Sequence, residues 1–94
     1  MGRMQEAKKM AEEIKQKLDA VTLTGEATGG DIRVEITGNR KVKKISISPA
    51  LQHGDSAQLE RVMTEAVNDA IQKADKASAE EMKKAAGGLL PGMF

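Results

Sequence analysis

Residues 21–49 run VTLTGEATGGDIRVEITGNRKVKKISISP. Apolar and polar residues alternate through this stretch, the period of a half-buried strand. The cleanest case is Ile32, Val34 and Ile36 set among Asp31, Arg33, Glu35 and Thr37, apolar on one face and charged on the other. Before it, Val21, Leu23 and Ala27 alternate with Thr22, Thr24, Glu26 and Thr28 and predict a first strand over residues 21–28. Gly25 interrupts that strand and marks either a bulge or a close approach of another backbone. Gly29-Gly30 is a hairpin signal, and Gly38-Asn39 marks a second turn. The third strand spans residues 41–48 with Ile45 and Ile47 inward, after a second strand at 31–37. Val42 is out of phase with Ile45 and Ile47, which predicts a bulge near Lys43. Ser48-Pro49 ends the strand, because proline has no N–H to give to a ladder.

Helical patterns flank the strands on both sides. Residues 3–20 contain strong helix formers and neither Gly nor Pro. Their apolar positions, Met4, Ala7, Ala11, Ile14, Leu18 and Val21, step by threes and fours like a seam meant for another helix. Lys8–Glu12, Lys9–Glu13, Glu13–Lys17 and Lys15–Asp19 are i,i+4 pairs on the outer face. Asp55 or Ser56 can cap a second helix over residues 56–86, whose stripe is Leu59, Met63, Ala66, Ala70, Ala74 and Ala77. At 1.5 Å per residue this helix measures roughly 45 Å, far more than three short strands can cover. Its C-terminal half must project or pair with another helix. Gly87-Gly88 predicts its stop, leaving residues 87–94 as a flexible tail. The whole is one α+β domain of 94 residues: helix, three-stranded antiparallel sheet, long helix.

Composition narrows the function. Several core positions on the helices are alanine and the only aromatic residue is Phe94. So small a core is marginal in a chain of this size, and pairing two copies would bury the leftover stripe. The expected core and dimer residues are Ile32, Val34, Ile36, Leu59, Met63, Ala66 and Ala70. There is no cysteine, hence no disulfide or thiolate chemistry. No segment reads as a membrane helix or signal peptide, so a cytoplasmic protein with no membrane partner is expected. His53, the single histidine, lies in a polar connector with Ser48 and Asp55 nearby in sequence, without the oriented support a triad needs. Residues 25–30 lack the lysine and strand-to-helix setting of a phosphate loop. Glu12-Glu13 and Glu80-Glu81 are not spaced to ligate a metal. No enzyme activity, cofactor, metal or small-molecule substrate is expected.

Basic residues remain as the chemistry to explain. Net charge is only +1, but the local distribution is uneven. Arg33, Arg40, Lys41, Lys43 and Lys44 face only Asp31 and Glu35 within residues 31–44. Arg3, Lys8 and Lys9 lie near one helix end, Lys83 and Lys84 near the other. Lysine and arginine without stacking aromatics suit phosphate contacts with little base readout. The lack of Tyr, Trp and internal Phe argues against recognition of single strands.

The ordered motifs resemble the YbaB/EbfC family of nucleoid-associated DNA-binding proteins along nearly the full length. The resemblance rests on the Met-, Gln- and Lys-rich first helix, Leu23-Thr24-Gly25-Glu26 leading to Gly29-Gly30, and Ile32-Arg33-Val34-Glu35-Ile36 with Gly38. It continues through Val42, Ile45-Ser46-Ile47-Ser48-Pro49-Ala50-Leu51, Leu59-Glu60, Ala66-Val67-Asn68-Asp69-Ala70, Met82, and Gly87-Gly88 to Pro91-Gly92. It implies an intertwined homodimer with paired sheets as the body and helices projecting as arms. It also implies low-specificity binding of double-stranded DNA, in the nucleoid, through those arms. By position the DNA contacts would be Arg3, Lys8, Lys9, Lys83 and Lys84, with Arg33, Arg40, Lys41, Lys43 and Lys44 as weaker candidates. Asn68-Asp69 is expected to serve structure by satisfying a local hydrogen bond. One departure is the acidic balance of residues 55–86, five bases against seven acids. An adaptor or chaperone-like dimer, holding a protein between Met-rich arms of near-neutral charge, is the alternative reading.

Overall fold

The computed structural model describes residues 2–52 and 54–89. Helix α1 (Gly2–Ala20) leads into strands β1 (Thr22–Glu26), β2 (Ile32–Thr37) and β3 (Val42–Ile47). A single turn, α2 (Pro49–Gln52), precedes the long helix α3 (Ser56–Leu89). The sheet is antiparallel in the order β1-β2-β3, as the alternation predicts. The fold is the expected helix, three strands and long helix.

The register explains the irregularities of the sequence. Glu35 pairs with Lys44 but Ile36 pairs with Val42, so Lys43 is the extra residue of a bulge. That bulge returns Val42 to the apolar face. The pairing of β1 with β2 runs unbroken from Thr22↔Thr37 to Glu26↔Arg33, so Gly25 marks no bulge. It marks a close approach: a Cβ there would lie 2.3 Å from the Ala70 backbone nitrogen. Gly29 and Gly30 carry φ of +79° and +74° in the turn Thr28–Gly30, the left-handed region glycine enters freely.

One face of the sheet makes the core. Ile32, Val34 and Ile36 are wholly buried, against Ala66, Ala70 and Ala74 of α3. Each such aliphatic side chain contributes about 1.5–3 kcal/mol on burial. The small alanines let α3 lie close on β1 and β2. Leu59 and Met63, expected in the same core, are half-buried at its margin. Val42 and Ile45 pair with Ile36 and Val34 and so share their apolar face. α3 sits over β1 and β2 instead, and both residues stay exposed, at 44% and 42%. The expectation that Ile45 points inward holds for its face of the sheet but not for its burial.

Two helix ends depart from the sequence reading. Residues 50–52, which fall between the predicted third strand and second helix, belong to α2, with Leu51 buried. Ser48 accepts the Ala50 N–H at its head, and Pro49 sits where a missing N–H costs no bond. The second departure is the stop predicted at Gly87-Gly88, because α3 continues through both to Leu89. Glycine costs a helix about 1 kcal/mol, a penalty rather than a barrier. At the other end of α3, Asp55 Oδ1 accepts the Ala57 N–H and forms the cap. His53 and residues 90–94, most of the expected tail, lie outside the described residues.

Candidate nucleic-acid interface

The length of α3 creates the arm. Its buried alanines end at Ala74, and beyond them α1 runs beside it. Met10, Glu13, Ile14 and Lys17 of α1 line a groove with Glu81, Lys84 and Ala85 of α3. The α1 end carrying Leu18 sits at the sheet, where Gly38 donates to its carbonyl. The helices are therefore antiparallel, and both the start of α1 and the end of α3 point away from the sheet. The molecule measures 58 × 23 × 17 Å.

The turn between β2 and β3 fixes the base of this arm. Asn39 Nδ2 donates to the Lys15 carbonyl at 2.9 Å and to Asp19 Oδ1 at 2.6 Å. Arg40 holds a left-handed φ of +67° and donates through Nε to Asp75 of α3. Thr37, buried, accepts the N–H groups of Asn39 and Lys41 on Oγ1. One turn thus grips both helices.

The basic residues fall into two separate groups. Arg3, Lys8, Lys9, Lys83 and Lys84 are exposed along the arm. Lys84 lies 3.6 Å from Glu81; among the described residues the other four have no ion pair within 4 Å. The second group sits on the outer sheet face and the turn. There Arg33 pairs with Glu26 at 3.3 Å, Arg40 with Asp75, and Lys43 Nζ donates to Thr22 Oγ1. Lys44 stands opposite Glu35, and Lys41 is exposed. The acidity of α3 is also local. Glu60, Glu65 and Asp69 lie in its sheet-bound half with Arg61, after Asp55 at the cap, whereas from Lys73 onward four bases meet three acids.

Asp69 joins α3 to β1. Its Oδ2 accepts the Glu26 N–H at 2.9 Å and lies 3.2 Å from Lys73 Nζ, while Lys73 Nζ donates to the Thr24 carbonyl at 2.8 Å. The Glu26 N–H, then the Lys73 ammonium, hold the Asp69 carboxyl below the usual carboxylate range. The bond spans 43 residues, so the structural role expected of Asp69 is long-range, not local. The i,i+4 spacing of Asp69 and Lys73 was visible in the sequence, but their strand partners were not. Among the described residues no cluster could hold a metal ion, and no helix is long and apolar enough to cross a membrane.

The fold is an α+β body carrying a two-helix arm, on whose outer part Arg3, Lys8, Lys9, Lys83 and Lys84 are interspersed with Glu6, Glu12, Glu13, Glu80 and Glu81. Comparison with known proteins gives the family. Residues 1–89 match the YbaB/EbfC DNA-binding family, and the chain belongs to it. It is 37% identical to a nucleoid-associated protein of Ruminiclostridium cellulolyticum, covering 100% of this chain and 84% of the relative. It is 36% identical to a nucleoid-associated protein of Legionella pneumophila, over 92% of this chain and 80% of that one. A crystal structure of an uncharacterized Helicobacter pylori protein, HP0035, shares the fold with a TM-score of 0.73 at 24% identity, covering 95% of this chain and 90% of that one.

Proposed function

We propose that this chain is a nucleoid-associated protein of the bacterial cytoplasm that binds double-stranded DNA as a homodimer, with low sequence specificity, and so contributes to nucleoid organisation or gene regulation. The observation that carries this reading is the arm with Arg3, Lys8, Lys9 and Lys83 exposed and without ion pairs among the described residues. Cations on a projecting arm neutralise phosphates and release counterions, which gives affinity without base readout. Family membership and the names of the relatives support the same reading. The sheet-face cations Arg33, Arg40 and Lys43 are engaged within the protein, which favours the arm as the contact surface.

The homodimer is supported by the uncovered side of the sheet. Val42 and Ile45 stand exposed on the apolar face of β3, and Met63 and Val67 of α3 are only partly buried against the core. A second copy covering this surface would complete the core and set two arms on one body, giving a duplex two sets of cations.

The test is charge reversal on the arm. Replacing Lys8 and Lys9 with Glu is predicted to abolish retardation of a duplex in a gel while leaving the dimer intact. Retardation equal to the wild type would remove these two residues from the site.

A further inference from the structure

A sheet of three strands has two edges, and in this protein they differ. The bond from the Ala27 N–H to the Ile32 carbonyl fixes the phase of β1: Leu23, Gly25 and Ala27 turn their backbone groups toward β2, and Thr22, Thr24 and Glu26 turn theirs outward. Outward groups on an edge strand are a template for another strand. Here two of them are occupied from α3. Asp69 takes the Glu26 N–H and Lys73 takes the Thr24 carbonyl, the adjacent donor and acceptor an incoming strand would use.

At β3 the situation is the reverse. The bond from the Ser48 N–H to the Asp31 carbonyl sets the phase, so Ile45 and Ile47 present outward groups. Among the described residues the one side-chain cap is Gln52 Nε2 on the Ile47 carbonyl, at the far end of the strand. Ile45 is open in both backbone and side chain. Antiparallel pairing of two β3 strands about Ile45 sets each Lys44 against a Ser46, so no lysines face one another, and extends the apolar face shared by Val42 and Ile45.

We propose that Asp69 and Lys73 form an edge guard: they close β1 to strand addition, so that a second copy is admitted only along β3 and assembly stops at two. The β3 half of this inference rests on the homodimer proposed above; the β1 half stands on the guard itself.

Sedimentation velocity of the full-length chain over a range of concentrations tests it. The variant Asp69→Ala with Lys73→Ala is expected to form species at least twice the wild-type mass, growing with concentration. Adding Glu26→Pro, which removes the outward N–H, is expected to return the wild-type distribution. Folded variants that sediment as the wild type at every concentration overturn the proposal, whatever their melting temperature. If the double variant has no cooperative melt, Lys73→Met decides, because it leaves the Asp69 bond to Glu26 in place. A smaller population of heavy species from it supports the guard, and wild-type sedimentation overturns it. A wild-type chain that sediments as a monomer refutes the homodimer, while the comparison of variant with wild type still judges the guard.

Discussion

Asp69 shows how one side chain ties an element to another 43 residues away. Its carboxylate accepts the Glu26 N–H and faces the Lys73 ammonium, and both favour the charged form, so its folded pKa lies below its ordinary value. A carboxyl depressed by folding binds its proton less readily than in the unfolded chain. Its contribution is therefore complete above the unfolded value, about 3.9, and is lost as pH falls through the folded value. The prediction is that wild type and Asp69→Asn differ in melting temperature above about pH 5 and converge in stronger acid. A difference that persists unchanged in acid would show that the charge is not what Asp69 supplies. The sequence made Asp69 recognisable as a polar residue beside an alanine stripe. Its partner was illegible, because a backbone N–H carries no residue type to match. Gly25 was half legible in the same way: interruption of a strand is visible in sequence, but only packing distinguishes a bulge from the close approach of Ala70.

At the scale of elements, alternation carried the strands and the lost phase at Val42 located the bulge at Lys43. Helix ends were less legible. A Ser-Pro pair can end a strand and begin a turn of helix at once, as Ser48 and Pro49 do. The penalty of Gly87-Gly88 is small beside the hydrogen bonds that continue the helix. The grip of the β2–β3 turn on both helices was not foreseen, since Asn39 read as an ordinary turn residue and Arg40 as a weaker DNA-contact candidate. That grip governs the arm: Asn39 Nδ2 holds Lys15 and Asp19 of α1, while Arg40 holds Asp75 of α3. Replacing Asn39 with Ala is predicted to free α1. Amide exchange across residues 7–18 should accelerate at least tenfold, with β2 and the sheet-bound half of α3 unchanged. Unaltered exchange in α1 would mean that Leu18 packing alone fixes the arm.

The whole molecule is elongated for a reason visible in its sequence. Its radius of gyration is 17.6 Å, whereas a compact chain of this length would be near ~12 Å. The excess comes from 34 residues of α3, of which the sheet covers less than half. That much followed from counting residues against strand lengths. The division of charge along the same helix emerged only once the structure showed which half leaves the sheet. The alanine-rich stripes led to the expectation of leftover apolar surface on the helices; Ala66, Ala70 and Ala74 are instead buried against the sheet, and the exposed apolar residues are Met4 and Met82 on the helices with Val42 and Ile45 on β3.

The central claim is that this arm binds duplex DNA through phosphates. It is tested most directly by fluorescence-anisotropy titration of a ~30-base-pair duplex at several salt concentrations, with sequence-scrambled duplexes as competitors. The prediction is a binding constant that falls linearly in log salt, with a slope corresponding to about 3–5 phosphate contacts per dimer, and equal competition by every duplex. No binding at the lowest salt, or a strong preference for one sequence, would contradict it.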